Sequence, residues 1–362
     1  MRAFVLGGSG LVGRAVSRRL LSAGWDVDIV GRDAARLPVD LVEQGVGFTA
    51  ADRSDTSAVG AAFGGGADLL VDCVCYTAKH ALDLVALADA ADSTVMISSK
   101  AVYADAAGRH SNSAEPPRFD GPVPESQLTV APGDMDFNSG QGYGPNKVAA
   151  EHVLLDSGLP VTVLRPSKIH GEGARPARTW VFVKRVLDRR PVVLHAHGGR
   201  GVDHPSAAVN IAALVETVAA RPGRRILNIA DRDAPSGAEI ARVVAHHLDH
   251  QWDEILLGDD AGSPLGWHPW DRRHPVVLDT AAALGLGYSP VGDFASTAPA
   301  EIDWLVSLTG IDGGARLPAA HDWSVEGAFG RAFDYAAEDG FLAGRRQPGP
   351  TPSGRATPHR PR

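Results

Sequence analysis

Tyr143 and Lys147 stand four residues apart in Y-G-P-N-K, so on a helix they share one face. A free tyrosine, with a pKa near 10, is a poor base at neutral pH. A neighbouring ammonium stabilises the phenolate and lowers that value, and the phenol can then pass a proton to or from an alcohol oxygen. With five Tyr and five Lys in 362 residues, the chance expectation of one such pair is about 0.07. Ser99 follows an apolar run and can donate to the same substrate oxygen, as an oxyanion-type partner. Taken alone, it reads equally well as a strand-end cap.

Those side chains need a scaffold, and the first fourteen residues, M-R-A-F-V-L-G-G-S-G-L-V-G-R, describe one. Ala3–Leu6 has the size of a buried strand, and Leu11, Val12, Ala15, Val16 and Leu20 recur at helical spacing after it. Between them lies a glycine turn, with Gly7, Gly10 and Gly13 spaced three apart. Gly7, Ser9, Gly10, Leu11, Val12 and Gly13 would let a dinucleotide pyrophosphate lie on bare amides at the positive end of a helix. Any tight α/β turn would look similar, but a strand before and a helix after favour the cofactor. The second strand, Trp25–Val30, ends at Gly31 and Arg32. An acid there would suit the free 2′-hydroxyl of NAD. A glycine followed by a guanidinium suits a 2′-phosphate, so NADP is expected and NAD is the alternative. A solvated turn arginine is the plain reading of Arg32.

Further strands are expected at Val46–Ala50, Ala67–Val74 and Thr94–Ser98, alternating with helical segments. That pattern predicts a Rossmann-type, doubly wound parallel sheet. Residues 104–141 carry Gly, Pro, Ser, Asn and acids with little period, too long for an ordinary connection, and should border the active site. Beyond them, helices are expected at Gly142–Ser157, Trp180–Leu187, Val209–Ala219, Ser236–Leu248 and Val325–Asp339. Strands are expected at Val161–Leu164, Val192–Leu194 and Ile226–Ile229. Residues 343–362, rich in Pro and Arg and without an acid, read as a disordered tail.

Composition narrows the function. A formal net charge of -8 argues against general nucleic-acid binding. Cys73 and Cys75 cannot build a disulfide framework and read as reduced core thiols in a cytoplasmic protein. Three glycines interrupt the only candidate leader core, Phe4–Val12, and no apolar stretch suits a membrane span. Two histidine pairs, His246 with His250 and His195 with His197, lack a third ligand at motif spacing, so no metal is expected.

Taken in order, G-G-S-G-L-V-G at 7–13, S-S-K-A-V-Y at 98–103, Y-G-P-N-K at 143–147 and L-R-P-S-K-I-H-G-E-G at 164–173 carry a resemblance. From residue 1 to about 310 the chain resembles the extended short-chain dehydrogenase/reductases, the NAD(P)-dependent nucleotide-sugar epimerases and dehydratases. The resemblance implies Ser99, Tyr143 and Lys147 as a catalytic trio, with Lys147 also on the nicotinamide ribose. It implies Asp52 near the adenine and Pro166 with Ser167 beside the nicotinamide. Ser99, Tyr103, Arg175, Arg178 and Arg200 are the residues expected to meet substrate. D-C-V-C-Y-T at 72–77 looks more like an atypical branch, which includes RNA-binding relatives, than the sugar epimerases with H-x-A-A there. Arg200 matches an arginine that meets a substrate diphosphate, whereas Pro205 and Ala207 depart from that motif. Lys100 and Ala101 replace the Asp-Glu pair of the dehydratases, which disfavours dehydration.

The expectation is therefore an α/β protein with a dinucleotide-binding domain over 1–164 and a smaller α/β substrate domain over 165–342, partly interleaved, then the tail. It would be an NADP-dependent reductase or epimerase acting on a ketone or secondary alcohol. The substrate would be a small molecule, a nucleotide sugar or secondary metabolite. Nucleic acid and membrane are not expected as partners, and a homodimer is left open. The rival reading is a non-catalytic cofactor-binding or RNA-binding relative; the intact trio and acidic charge count against it.

Overall fold

The computed structural model describes residues 1–259, 265–310, 315–318, 321 and 327–346. Its strands are β1 (Arg2–Leu6), β2 (Asp26–Gly31), β3 (Gly47–Ala50), β4 (Ala67–Asp72), β5 (Ala91–Ile97), β6 (Val161–Pro166), β7 (Lys168–His170), β8 (Val192–His195), β9 (Pro205–Ala207), β10 (Arg225–Ile229) and β11 (Asp253–Leu256). Seven of them form one sheet in the order β3-β2-β1-β4-β5-β6-β10, every pairing parallel. The order reverses between β1 and β4, and a Rossmann-type sheet opens its ligand crevice at such a switch point, outside the carboxyl ends of the strands.

Apolar alternation along β1 shows how the layers are built. Ala3 and Val5 pack to one face with Val16 and Leu20 of helix Leu11–Ser22 and Ile211 and Leu214 of helix Ala208–Ala219. Phe4 and Leu6 pack to the other, with Leu84 of helix Ala78–Ala88 and Leu154 of helix Gly140–Asp156. Both faces are covered, so the central strands read as continuous apolar runs. A separate core gathers Trp180, Phe182, Ile240, Trp270, Phe294 and Ile302 beside the short parallel pairs β8–β11 and β7–β9. The main sheet does not stop at residue 164: helix Ala208–Ala219 covers its face and β10 extends its edge.

Two expectations need correction. The last helix divides into Gly327–Arg331 and Tyr335–Arg346. Residues 343–346 thus continue a helix rather than open a tail, because Glu338 ion-pairs with the buried Arg185 and the Tyr335 hydroxyl donates to Asp188 at 2.9 Å. The rest of the expected tail, 347–362, lies outside the described residues. Residues 104–139 precede helix Gly140–Asp156 without a helix of their own. Asp105 organises them. Burial would raise its carboxyl, but the amides of Arg118, Arg109 and Ala107 and the Arg109 guanidinium hold it down at about 2.

Candidate active site

A cleft of about 1270 Å³ runs along the carboxyl ends of β1, β2, β4, β5 and β6. At its centre is the glycine turn. Gly7 adopts φ +75°, which a side chain would strain, and a Cβ on Gly13 would stand 2.5 Å from the Gly7 carbonyl oxygen. The helix that follows begins at Gly10 without a side-chain cap and without an acid in its first turn. Its first amides are thus unspent, and the cradle fits a pyrophosphate. Gly7, Ser9, Gly10, Leu11, Val12 and Gly13 all line the cleft.

Toward the β2 side, Arg32, Asp33, Arg36 and Asp52 line the cleft. A Cβ on Gly31 would meet Ser9 Oγ at 3.0 Å, so the strand end leaves little room for an acid. Asp33, one residue on, is already engaged: its carboxylate accepts from the Ala35 amide at 3.0 Å and lies 3.6 Å from Arg36. Arg32 is exposed and makes no ion pair among the described residues. Asp52 accepts from the amide and hydroxyl of Ser54 at 2.9 and 2.7 Å.

At the other end, Ser99 caps the short turn after β5, accepting from the Ala101 amide at 3.1 Å, and it lines the cleft together with Tyr143. Burial raises the Tyr143 phenol overall, and the Ser99 hydroxyl and the Arg178 charge act against it. Arg178 thus joins Lys147, whose Nζ lies 5.9 Å from the Tyr143 ring centroid, as a cation beside the phenol. Lys147 is buried beneath the site, where Nζ donates to the carbonyls of Cys75 at 2.7 Å and Ile97 at 2.8 Å. Burial lowers its ammonium, and the surrounding Cys75, Tyr76, Asp72 and Glu151 act to keep it charged. Pro166 and Ser167 close this end of the cleft; the Ser167 amide donates to Ser206 Oγ at 2.9 Å.

Of the expected substrate contacts, Ser99, Arg175 and Arg178 line the cleft. Arg175 is exposed and donates to His321 Nε2 at 2.8 Å. Tyr103 is drawn elsewhere: its hydroxyl donates to Asn228 at 2.7 Å and its ring lies under the Arg165 guanidinium, 4.9 Å from the centroid. Arg165 itself is clamped by Glu151 at 3.1 and 2.5 Å, a buried pair that ties β6 to helix Gly140–Asp156. Arg200 is exposed after the 3₁₀ turn Ala196–Gly199, folded against Gly198, and does not line the cleft.

Several cleft residues have no motif. Tyr76 follows β4 and stacks on Phe137 of the long loop, ring centroids 5.2 Å apart and planes within 9°. The buried Arg53–Asp72 ion pair at 2.5 Å, with Arg53 also on the His80 carbonyl, fixes the turn that carries Tyr76. Cys73 also lines the cleft, while Cys75 is buried; burial pushes both thiols up. Among the described residues no three His, Cys, Asp or Glu side chains form a metal-binding group. His250 falls beyond helix Gly237–His247 and pairs with the Arg190 carbonyl at 2.9 Å. No helix among the described residues is long and apolar enough to cross a membrane.

Sheet order, glycine turn and the Ser–Tyr–Lys arrangement define a Rossmann-type protein of the short-chain dehydrogenase class. The NAD dependent epimerase/dehydratase family model matches residues 3–204, and the chain belongs to that family. In fold it is similar to the UDP-glucuronic acid 4-epimerase of Bacillus cereus, solved with UDP-glucuronic acid and NAD. Identity there is 16%, with TM-score 0.61 over 85% of this chain and 100% of that one. The UDP-glucose 4-epimerase of Thermotoga maritima, solved with UDP-glucose, gives 16%, 0.63, 85% and 99%. The Thermus thermophilus UDP-glucose 4-epimerase, solved with NAD, gives 19%, 0.60, 84% and 98%. No curated protein matches the chain in sequence.

Proposed function

We propose that this protein is an NADP-dependent oxidoreductase, a reductase or epimerase, acting on a ketone or secondary alcohol of a sugar-like or natural-product substrate. The observation that carries the reading is that Ser99 and Tyr143 line the same end of a glycine-cradled cleft, with the buried Lys147 ammonium 5.9 Å from the centroid of the Tyr143 ring. When bound, the cofactor supplies or accepts the hydride. The protein's part is proton transfer and positioning. Ser99 donates to the substrate oxygen and fixes its direction. Tyr143 gives or takes the proton at that oxygen, and the positive charge of Arg178 favours the phenolate. Lys147 is anchored through two backbone carbonyls, and its third donor would be the one to hold the ribose of a bound cofactor.

NADP is preferred over the NAD held by the relatives because Arg32 is exposed and makes no ion pair among the described residues, whereas the neighbouring acid Asp33 is spent on Ala35 and Arg36. The two free cysteines, Cys73 and Cys75, fit a reducing, cytoplasmic setting. The test is incubation with NADPH or NADP and a panel of ketones and nucleotide sugars, following absorbance and product stereochemistry together. Net oxidation of NADPH marks a reductase; inversion without net cofactor change marks an epimerase. Cofactor binding without turnover of any substrate would favour the non-catalytic relative.

A further inference from the structure

Ser99 and Ser167, the two serines that frame the reacting end, are each followed by a lysine, and both lysines turn toward one carboxylate. Lys100 ion-pairs with Asp203, and Lys168 Nζ lies 3.4 Å from Asp203 Oδ2. Arg272 Nε donates to that same oxygen at 2.9 Å. Arg178 stands close enough to repel Lys100 and Lys168 and to act on Tyr143, and its own hydrogen bond goes to the neutral Ile169 carbonyl at 3.2 Å. Three cations thus surround Asp203, which is itself 0% exposed, and Arg178 stands beside them as a fourth. Two further acids act from farther off, Asp271 on Arg272 and Glu301 on Arg178. Glu301 is already taken up by the Gly171 amide and the Thr179 hydroxyl. Even with both acids counted, the cations exceed the carboxylates by one.

A surplus buried basic group either gives up its proton or draws in an anion, and a partly open cluster lets an anion arrive. The cluster is not sealed: Arg178 lines the cleft beside Ser99 and Ser167, and the Lys168 and Arg272 side chains, outside the cleft lining, keep 18% and 23% exposure. Ser167 Oγ, buried at the same edge, finds no hydrogen-bond partner among the described residues. Burial and mutual repulsion lower both lysines, and an arriving anion would reverse that trend.

Resting on the oxidoreductase reading above, we propose that Lys100, Lys168, Arg178 and Arg272 form a receptor for an oxyanion carried by the substrate, a carboxylate or a phosphate ester set close to the carbon that reacts at Ser99 and Tyr143. Asp203 gathers the cations and leaves their outward donors for the ligand. The receptor would select acidic over neutral substrates.

The test titrates glucuronate, glucose 6-phosphate and neutral glucose into the full-length protein, with and without NADPH, by calorimetry. At least one acid should bind about tenfold or more tightly than glucose, and which acid does so tells carboxylate from phosphate. Lys168→Gln and Arg272→Gln, both at the partly exposed rim, should each erase most of that preference. NADPH affinity, measured in the same samples, should stay within about twofold of wild type. Equal binding of the three sugars, failure of both acids to bind, or a preference that survives both substitutions would overturn the assignment. Loss of NADPH binding in the wild type would instead strike the oxidoreductase reading, so the two failures are told apart.

Discussion

The Lys147 ammonium lies 4.5 Å from the centroid of the Tyr76 ring, nearer than the 5.9 Å that separates it from the ring of Tyr143. Tyr76 is therefore the aromatic face on which the buried lysine rests, and its stack on Phe137 carries that support into the long loop. Tyr76→Leu should cost about 1–3 kcal/mol of stability in urea unfolding, since it removes a cation–π contact and a stack together. Tyr76→Phe keeps the ring and should stay within about 0.5 kcal/mol. Equal losses in the two variants would remove the ring from this role.

On the NADP reading proposed above, cofactor choice turns on Arg32. Arg32→Ala should weaken NADP binding by about 1.5–3 kcal/mol, the value of a charge-assisted hydrogen bond, and leave NAD affinity nearly unchanged. Dissociation constants for both dinucleotides, taken on wild type and variant, decide it. Tighter NAD binding by the wild type would reverse the preference.

The buried pair His195 and His268 predicts an acid-labile fold. Neither ring has a hydrogen-bond partner among the described residues, and burial pushes them down to about 4 and about 3. Unfolded, each would take a proton near pH 6.5. The unfolded chain therefore binds more protons as pH falls. The stabilisation is fully present above that value and is lost as pH drops toward 4. Each ring contributes a slope of up to about 1.4 kcal/mol per pH unit. His170 works the other way. Although burial lowers it, the Asp231 hydrogen bond raises it overall, so its contribution is lost as pH rises through its folded value. Comparing wild type with His268→Leu cancels that term, and the variant's stability should fall less steeply between pH 6.5 and 4. Identical slopes would contradict the assignment.

Arg178 offers a check on the proton chemistry. Its charge pulls the Tyr143 phenol down against burial, so Arg178→Met should move the Tyr143 ionisation in the kcat/KM profile to higher pH. An unmoved profile would show that the charge acting on Tyr143 comes from elsewhere.

What the sequence made legible was local. The Gly7, Gly10 and Gly13 turn needs only its own strand and helix, and Tyr143 with Lys147 needs only one helical turn. Both are visible in a short window. Strands β7 and β9, three residues each, are too short to show a period, and they exist because they pair with each other across the chain. Tyr76 meeting Phe137 and Lys100 meeting Asp203 join residues far apart in sequence, which no spacing rule reports. Tyr103 looked like a substrate contact because it closes the serine motif. The Asn228 carboxamide oxygen, which accepts from its hydroxyl, and the Arg165 guanidinium over its ring hold it in the interior. Arg200 was placed by motif position alone, and the 3₁₀ turn at Ala196–Gly199 directs it away from the cleft.

In the reaction proposed above, Tyr143 exchanges the proton with substrate. Single-turnover rates of Tyr143→Phe on a verified substrate, with NADPH affinity and thermal unfolding measured alongside, test it most directly. The ring and its packing stay, so folding and cofactor affinity should be preserved. The rate should fall by about two to four orders of magnitude, the contribution of a positioned acid–base group, and the phenol ionisation should vanish from the pH profile. A variant that folds, binds NADPH and turns over at close to the wild-type rate would contradict the account.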